Sequence, residues 1–490
     1  MGSMQPLVSS TASPELREQL DSVSSVIQSL AQRLVSATQD VAEDPIIKVA
    51  TPEDVPMIRD LATPMKGSRE VEKVIDEAFE IFDRRMRVNH PRFMGLIPSP
   101  TLPVAWLGDV IASAFNALGA SKLQASGPVV TEKTLTEWLA SQVGLPRETA
   151  GGIFVSGGSM ANMMALVMAR DRHVAPGQQD RAVAYMSDQT HYSVAKALRI
   201  LGFRKDQIRW LPSDEEFRMV PAVLEGAIEE DRAAGLVPFV VVATCGTTNV
   251  GAVDPLASVS EVCRRKGVWM HVDGAYGASA ALSASRSAVV SELGCADSVS
   301  WDAHKWLFQT YSCGILLARD RGNLVRSFAN DGDYLRDGAA IEDEDVPNFW
   351  NYSVELTRPA HRAMKLWFTL RVLGTERVGG MLDHGFGLAE RAEEELRRRD
   401  GWEITSAASL GVVTFRYAPE GLRGKGEDEV DRVNAAVSKE LIASNVAGIL
   451  TTKVRGKVAL RICALSPELS LEDMAGVIAE ADRLAKKLSA

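Results

Sequence analysis

Lys305 stands in "SVSWDAHKWL" (298–307), beside a histidine and among bulky apolar residues. Where its surroundings keep an amine neutral, it can attack a carbonyl and form a Schiff base. The other reading of the same residue is a strand-end lysine that snorkels to water. Three more groups share the central part of the chain with it. "SGGSMAN" (156–162) joins small residues and a hydroxyl at a helix start, where bare backbone N–H groups suit a phosphate. "SDQTHYS" (187–193) sets His191 behind an apolar run, either to stack on a flat ring or as a satisfied core or surface residue. "HVDGAYG" (271–277) sets Asp273 behind another such run, either to turn the chain or to pair with a cation. Were the ligand pyridoxal phosphate, its ring nitrogen would need such a carboxylate to stay protonated and draw electrons.

The elements that must position these groups lie between about 150 and 320. Short apolar runs ("GGIFV", "RAVAYMS", "PFVVVAT", "GVWMHVD", "CGILLARD") alternate there with helical patterns. That texture predicts an α/β fold with a mostly parallel central sheet covered by helices. In such sheets ligand groups gather beyond the carboxyl ends of the strands, where the four polar segments fall. Helical spacing predicts helices over 14–37, 69–86, 130–145 (with Thr131 as cap) and 358–374. Residues 89–103 read as a proline-restricted extended loop. Residues 329–348, acidic and glycine-bearing, read as a long loop, either a mobile lid or a surface segment. The remainder alternates helix and strand.

Three parts are therefore expected: an N-terminal helical segment over 1–120, a large domain over 121–375 with a loop at about 329–352, and a small α+β domain over 376–490. The opening "MGSM" reads as a cloning remnant ahead of Met4 and is set aside. Of the 490 residues 46 % are apolar and 24 % charged, and the net charge is −10. That balance gives no support for nucleic-acid or anionic-membrane binding. Five scattered cysteines without a CxxC pair argue against a disulfide framework or a structural zinc site and suit a reducing cytoplasm. No metal site is expected. Neither a signal pattern nor a run of ~18 apolar residues is present, so no membrane span is expected.

Taken together, "HPRFMGLIPSP", "SGGSMANMMAL", "SDQTHYSVAKA", "TCGTTNVGAVDP", "HVDGAYGASA", "DAHKWL", "LTRPAHRAMKLWFTLRVLG" and "ALRIC" resemble the pyridoxal-phosphate-dependent group II amino-acid decarboxylases, the aromatic-L-amino-acid branch in particular. The resemblance runs from about residue 40 to the C-terminus. It implies the aspartate-aminotransferase fold (fold type I) and a homodimer with an intertwined N-terminal segment. Lys305 would hold the cofactor as an aldimine, and Asp273 would pair with its ring nitrogen. Ala275 and His191 would face the ring from opposite sides. Gly158, Ser159 and His304 would hold the phosphate, with Thr248 near the ring substituents and Arg358 on the carboxylate side of the site. Phe93, Leu96, Ile97, Pro98 and Trp350 would line an apolar pocket for the substrate side chain. Loss of CO₂ from an L-amino acid would leave a carbanion that is reprotonated to an amine.

The chain departs from this family pattern in three places. Phe349, in "VPNFWNYS", aligns with the tyrosine that reprotonates the carbanion in the aromatic branch, and phenylalanine has no proton to give. In related plant and insect enzymes a Phe there accompanies reaction with O₂, giving aldehyde, CO₂, ammonia and peroxide. A slipped alignment would leave Tyr334 or Tyr352 as donor instead. Asp302 stands where several relatives have Asn near the phosphate, and Met160 replaces an acid common in the phosphate-loop helix. A transaminase, a carbon–carbon lyase acting on a phosphorylated amine and an inactive dimeric scaffold are the rival readings.

Overall fold

The computed structural model describes residues 26–490 except 28, 39–40, 331, 342 and 344–345. The first half of the helix expected over 14–37 lies outside the described residues. The chain divides into two units, Met1–Phe93 and Met94–Ala490. In the first unit, helix Val71–Asp83 lies within the amphipathic stretch expected over 69–86. Arg87 there pairs with Asp83 at 2.7 Å and with Asp44 at 3.1 Å.

The second unit carries a seven-stranded sheet. Its strands are β1 (Gly151–Val155), β2 (Ala182–Ser187), β3 (Ile208–Leu211), β4 (Val237–Thr244), β5 (Trp269–Asp273), β6 (Ser298–Asp302) and β7 (Gly314–Ala318), in the spatial order β1-β7-β6-β5-β4-β2-β3. Only β7 runs against its neighbours; β6, β5, β4, β2 and β3 pair in parallel. Strand alternation sends Phe154, Val241 and Ala243 into a core on one face, and Ile153, Val155, Val240 and Val242 into a core on the other. A sheet buried on both faces needs apolar residues at successive positions, which explains the unbroken runs in the sequence. Among the described residues, no helix is long and apolar enough to cross a membrane.

A second, antiparallel sheet of β8 (Trp402–Ser409), β9 (Val412–Tyr417), β10 (Leu450–Val454) and β11 (Lys457–Cys463) has the order β10-β11-β9-β8. Helices Glu427–Ala443 and Leu471–Ser489 pack on it around a separate core that includes Phe415, Val433, Leu460 and Ile478. Helix His361–Arg397 joins the two sheets and breaks at Gly374, whose φ of +76° suits only glycine without strain.

One helix start differs from expectation. The helix expected over 130–145 spans Lys122–Gln142, is capped by Ser121 and bends at Ala125. Thr131 is inside it and donates to Gly127 O at 2.9 Å. Pro128 looks like a barrier to a helix at this point, but it falls in the first turn after the bend, where its missing N–H costs nothing.

Candidate active site

The carboxyl ends of β1, β2, β4, β5 and β6 converge on one cleft of about 390 Å³. Its lining includes Gly158, Ser159, His191, Thr248, Asp273, Ala275, His304 and Lys305. Every residue expected to hold the cofactor is thus in one place. This is where side chains leaving parallel strands meet the N-termini of the following helices.

β1 ends at Val155, and Ser156-Gly157 leads straight into helix Gly158–His173. A Cβ on Gly158 would lie 2.8 Å from Asp302 Oδ2 and 3.0 Å from the Ala275 Cβ, so only glycine leaves room for a ligand to meet the backbone N–H groups. Asp302 does not face away from this turn. It lines the cleft, with Oδ2 3.3 Å from Lys305 Nζ and 3.5 Å from His304 Nε2.

Lys305 follows β6 in a tight turn, and its N–H donates to Asp302 O. Its carbonyl accepts from both the N–H and the hydroxyl of Ser99. The setting differs from the apolar one inferred from "KWL". Trp306, Leu307 and Phe308 are buried in the core, while the Lys305 side chain enters a polar cleft with 20 % of its surface exposed. The turn sends consecutive side chains in different directions, so sequence neighbours are not spatial neighbours.

Asp273 ends β5. Its Oδ2 accepts from Asn162 Nδ2 at 2.9 Å, and its Oδ1 from Ala275 N–H at 3.1 Å and Ser300 Oγ at 3.2 Å. Burial pushes its carboxyl up, but the pull of Lys305 and the Asn162 hydrogen bond outweigh it and hold it below the usual range. It stays ionised. His191 caps helix Tyr192–Ile200, its Nδ1 2.7 Å from Ser193 Oγ. Burial lowers the pKa of His191 against the pull of Asp273, and burial lowers that of His304 against Asp302, so both imidazoles are neutral near pH 7.

These groups fit pyridoxal phosphate. The cleft offers an amine, an ionised acid, two neutral imidazoles and a helix N-terminus. Thr244 Oγ1 and Asp302 Oδ1, on lining residues, are buried without a hydrogen-bond partner among the described residues. Lys305 would take the aldehyde, Asp273 the ring nitrogen, and Gly158, Ser159 and His304 the phosphate.

The residues of the second unit expected to contact substrate do not line this cleft. Leu96, Ile97, Pro98, Phe349, Trp350 and Arg358 are absent from the cleft lining, and Phe93 falls in the first unit. Arg358 is fully buried in a two-pronged ion pair with Glu132, which corrects its expected place beside the substrate carboxylate. Phe349 sits in a core cluster, edge-on to Tyr352 and 5.1 Å from the Arg358 guanidinium, so it does not reach the cleft of its own chain. An apolar side chain buries readily, and an arginine does so once its fork is paired, so residue type alone does not separate a core role from a site role. Sequence reasoning missed Asn162, Ser193, Tyr311 and Ser312. Asn162 was in view within "SGGSMAN", one turn into the phosphate-loop helix and on the cleft side.

Residues 52–418 match the family model described as the pyridoxal-dependent decarboxylase conserved domain. The aromatic-L-amino-acid decarboxylase of Bacillus atrophaeus is 38 % identical over 84 % of this chain and 84 % of its own. A phenylacetaldehyde synthase of Petunia hybrida is 29 % identical over 81 % of each. The crystal structure of Oryza sativa TDC with PLP and tryptamine superposes with a TM-score of 0.87 at 25 % identity, covering 99 % of this chain and 100 % of that one.

Proposed function

The chain belongs to the pyridoxal-dependent decarboxylases, with pyridoxal phosphate as its cofactor, and within that family we propose that it converts an L-amino acid with an aromatic or other apolar side chain to the amine and CO₂. The observation that carries this reading is the convergence of Lys305, Asp273, His191 and the Gly157–Gly158 turn on one cleft at the strand ends. The name of the Bacillus relative supports an aromatic substrate. The lining contains no arginine, and its cations are Lys305 and, when protonated, the two histidines, which disfavours a substrate with a second acid.

Bound pyridoxal phosphate supplies an aldehyde for the substrate amine and a ring that accepts the electron pair left by CO₂. The chain's own residues do the rest. Lys305 Nζ would anchor the cofactor and offers an amine that can hold or move a proton within the cleft. Asp273, ionised, would keep a proton on the ring nitrogen. His191, neutral, and Ala275 would flank the ring, and the first N–H groups of helix Gly158–His173 would take the phosphate with His304.

A homodimer completes the site in this reading. Leu107, Ile111, Phe115, Leu123, Val130 and Trp367 form an exposed apolar face on helices Pro103–Phe115, Lys122–Gln142 and His361–Arg397, as a subunit interface requires. The apolar wall missing from the cleft would then come from the second copy. Five cysteines without disulfides support a cytoplasmic setting.

The second reading, amino acid plus O₂ and water giving aldehyde, CO₂, ammonia and peroxide, is favoured by the Petunia relative and by Phe349 at the aligned tyrosine position. A panel of L-amino acids with CO₂, amine, aldehyde and peroxide measured on the same samples decides between the two. Loss of the ~420 nm band in Lys305→Ala ties the activity to the lysine. An unaltered band in that variant, or no CO₂ from any amino acid, would sink both readings.

A further inference from the structure

Asp273 is backed by a line of side chains whose hydrogen-bond direction is set from its carboxylate end. Trp269 Nε1 donates to Ser298 Oγ at 3.0 Å, and Ser298 Oγ lies 2.9 Å from His271 Nδ1. His271 Nε2 is 3.0 Å from Asn162 Oδ1, and Asn162 Nδ2 donates to Asp273 Oδ2 at 2.9 Å. An indole can only donate, and an ionised carboxylate can only accept. Asn162 therefore turns its N–H₂ towards Asp273 and its carbonyl towards His271. His271 donates to that carbonyl from Nε2, and its bare Nδ1 accepts from the Ser298 hydroxyl, whose oxygen also takes the indole N–H. Asn162, His271 and Ser298 are all buried, so no water competes for these bonds. Burial also keeps His271 neutral, its pKa pushed down to about 4 against the pull of Asp273 and Ser298.

The same amide reaches the other side of the cleft. Its Nδ2 lies 3.3 Å from Ser193 Oγ, which is 2.7 Å from His191 Nδ1. The Ser193 N–H also donates to that nitrogen, so the His191 proton sits on Nε2.

We propose that Asn162, its N–H₂ turned to Asp273 and Ser193 and its carbonyl to His271, is the positioning residue that holds Asp273 as a carboxylate toward the cofactor ring nitrogen. The inference rests on the reading that places that nitrogen beside Asp273. One proton is shared between ring nitrogen and carboxylate. The Asn162 N–H favours leaving it on the nitrogen, because it stabilises the anionic acid. Were the amide reversed, its oxygen would face the carboxylate and push the proton towards Asp273.

The test is the ¹⁵N resonance of ring-labelled pyridoxal phosphate bound to the full-length protein, alongside thermal melting. In Asn162→Ala and His271→Phe the resonance should move towards the unprotonated-pyridine position, by about a tenfold change in the proton-on-nitrogen ratio for one lost hydrogen bond to a charged group. His271→Gln, which keeps an N–H donor for Asn162, should restore most of the shift. Should the larger changes prevent folding, Ser298→Ala removes a single oxygen and should move the resonance less, in the same direction. Lower melting temperatures with an unmoved resonance would show a purely structural network and overturn the inference. A wild-type nitrogen that is unprotonated, or wild-type protein that binds no cofactor, would instead refute the placement of the ring.

Discussion

Arg358 and Glu132 meet in the core and between them take both outward backbone groups of Phe154. Arg358 Nη2 lies 2.6 Å from Glu132 Oε1 and Nη1 2.9 Å from Oε2. Glu132 accepts the Phe154 N–H at 2.8 Å, and Arg358 donates to Phe154 O at 2.8 Å. β1 is an edge strand, paired only with β7, so this ion pair does at one residue what a neighbouring strand would do. The strand it secures leads into the Gly157–Gly158 turn.

Removing one partner should leave a buried charge without compensation. Arg358→Ala is expected to lose about 3–5 kcal/mol of stability. Arg358→Lys should recover little, because an ammonium cannot span the fork. Denaturant titration measures the loss, and KM on the folded fraction should stay near wild type. A raised KM with unchanged stability would return Arg358 to the substrate.

The glycine turn and Asp302 should act on cofactor retention in opposite directions. Gly158→Ala sets a methyl 2.8 Å from Asp302 Oδ2 and should abolish tight binding of pyridoxal phosphate. Asp302→Asn removes a negative charge from the phosphate end and should tighten binding by roughly tenfold. Pyridoxal, lacking the phosphate, is the control and should gain little. Equal gains for both ligands would mean that Asp302 acts elsewhere.

Acid should weaken the fold before it touches the salt bridges. The pKa of His271 is 6.5 in the unfolded chain and about 4 in the fold, so between those values the unfolded chain binds more protons. Stability present above pH 6.5 is therefore lost as pH falls towards 4, about 3 kcal/mol in full. His191 and His304, also depressed by burial, add to the loss. Asp254 opposes it: burial raises its pKa from 3.8 to about 6, so it gains stability as pH falls below 6. Melting temperature measured from pH 7.5 to 5 should fall most steeply just below 6.5, and His271→Gln should flatten the fall. An equal slope in that variant would contradict the assignment of a neutral His271.

Phe349→Tyr tests the product. Under the amine reading, wild type consumes no O₂, and the added hydroxyl only strains a packed core. Under the aldehyde reading, the variant shifts product from aldehyde to amine. Peroxide, CO₂ and amine from one sample distinguish these. A wild-type protein that already makes aldehyde, with a ratio that Tyr leaves unchanged, would free the chemistry from residue 349 altogether.

The parallel sheet was legible because strands buried on both faces must be apolar at every position, and "PFVVVAT" and "GVWMHVD" have no other economical use. Places behind apolar runs marked Asp273 and Lys305 as candidates, the family resemblance implied their roles, and the fold brings both to one cleft. Arg358, Phe349 and the surroundings of Lys305 were not legible. Whether an arginine meets a substrate or Glu132, 226 positions away in the chain, depends on long-range packing that leaves no local periodicity. The same holds for the Trp269–Ser298–His271–Asn162 line. It draws on β5, β6 and a helix, and its direction exists only once the acceptor-only carboxylate of Asp273 is folded to one end.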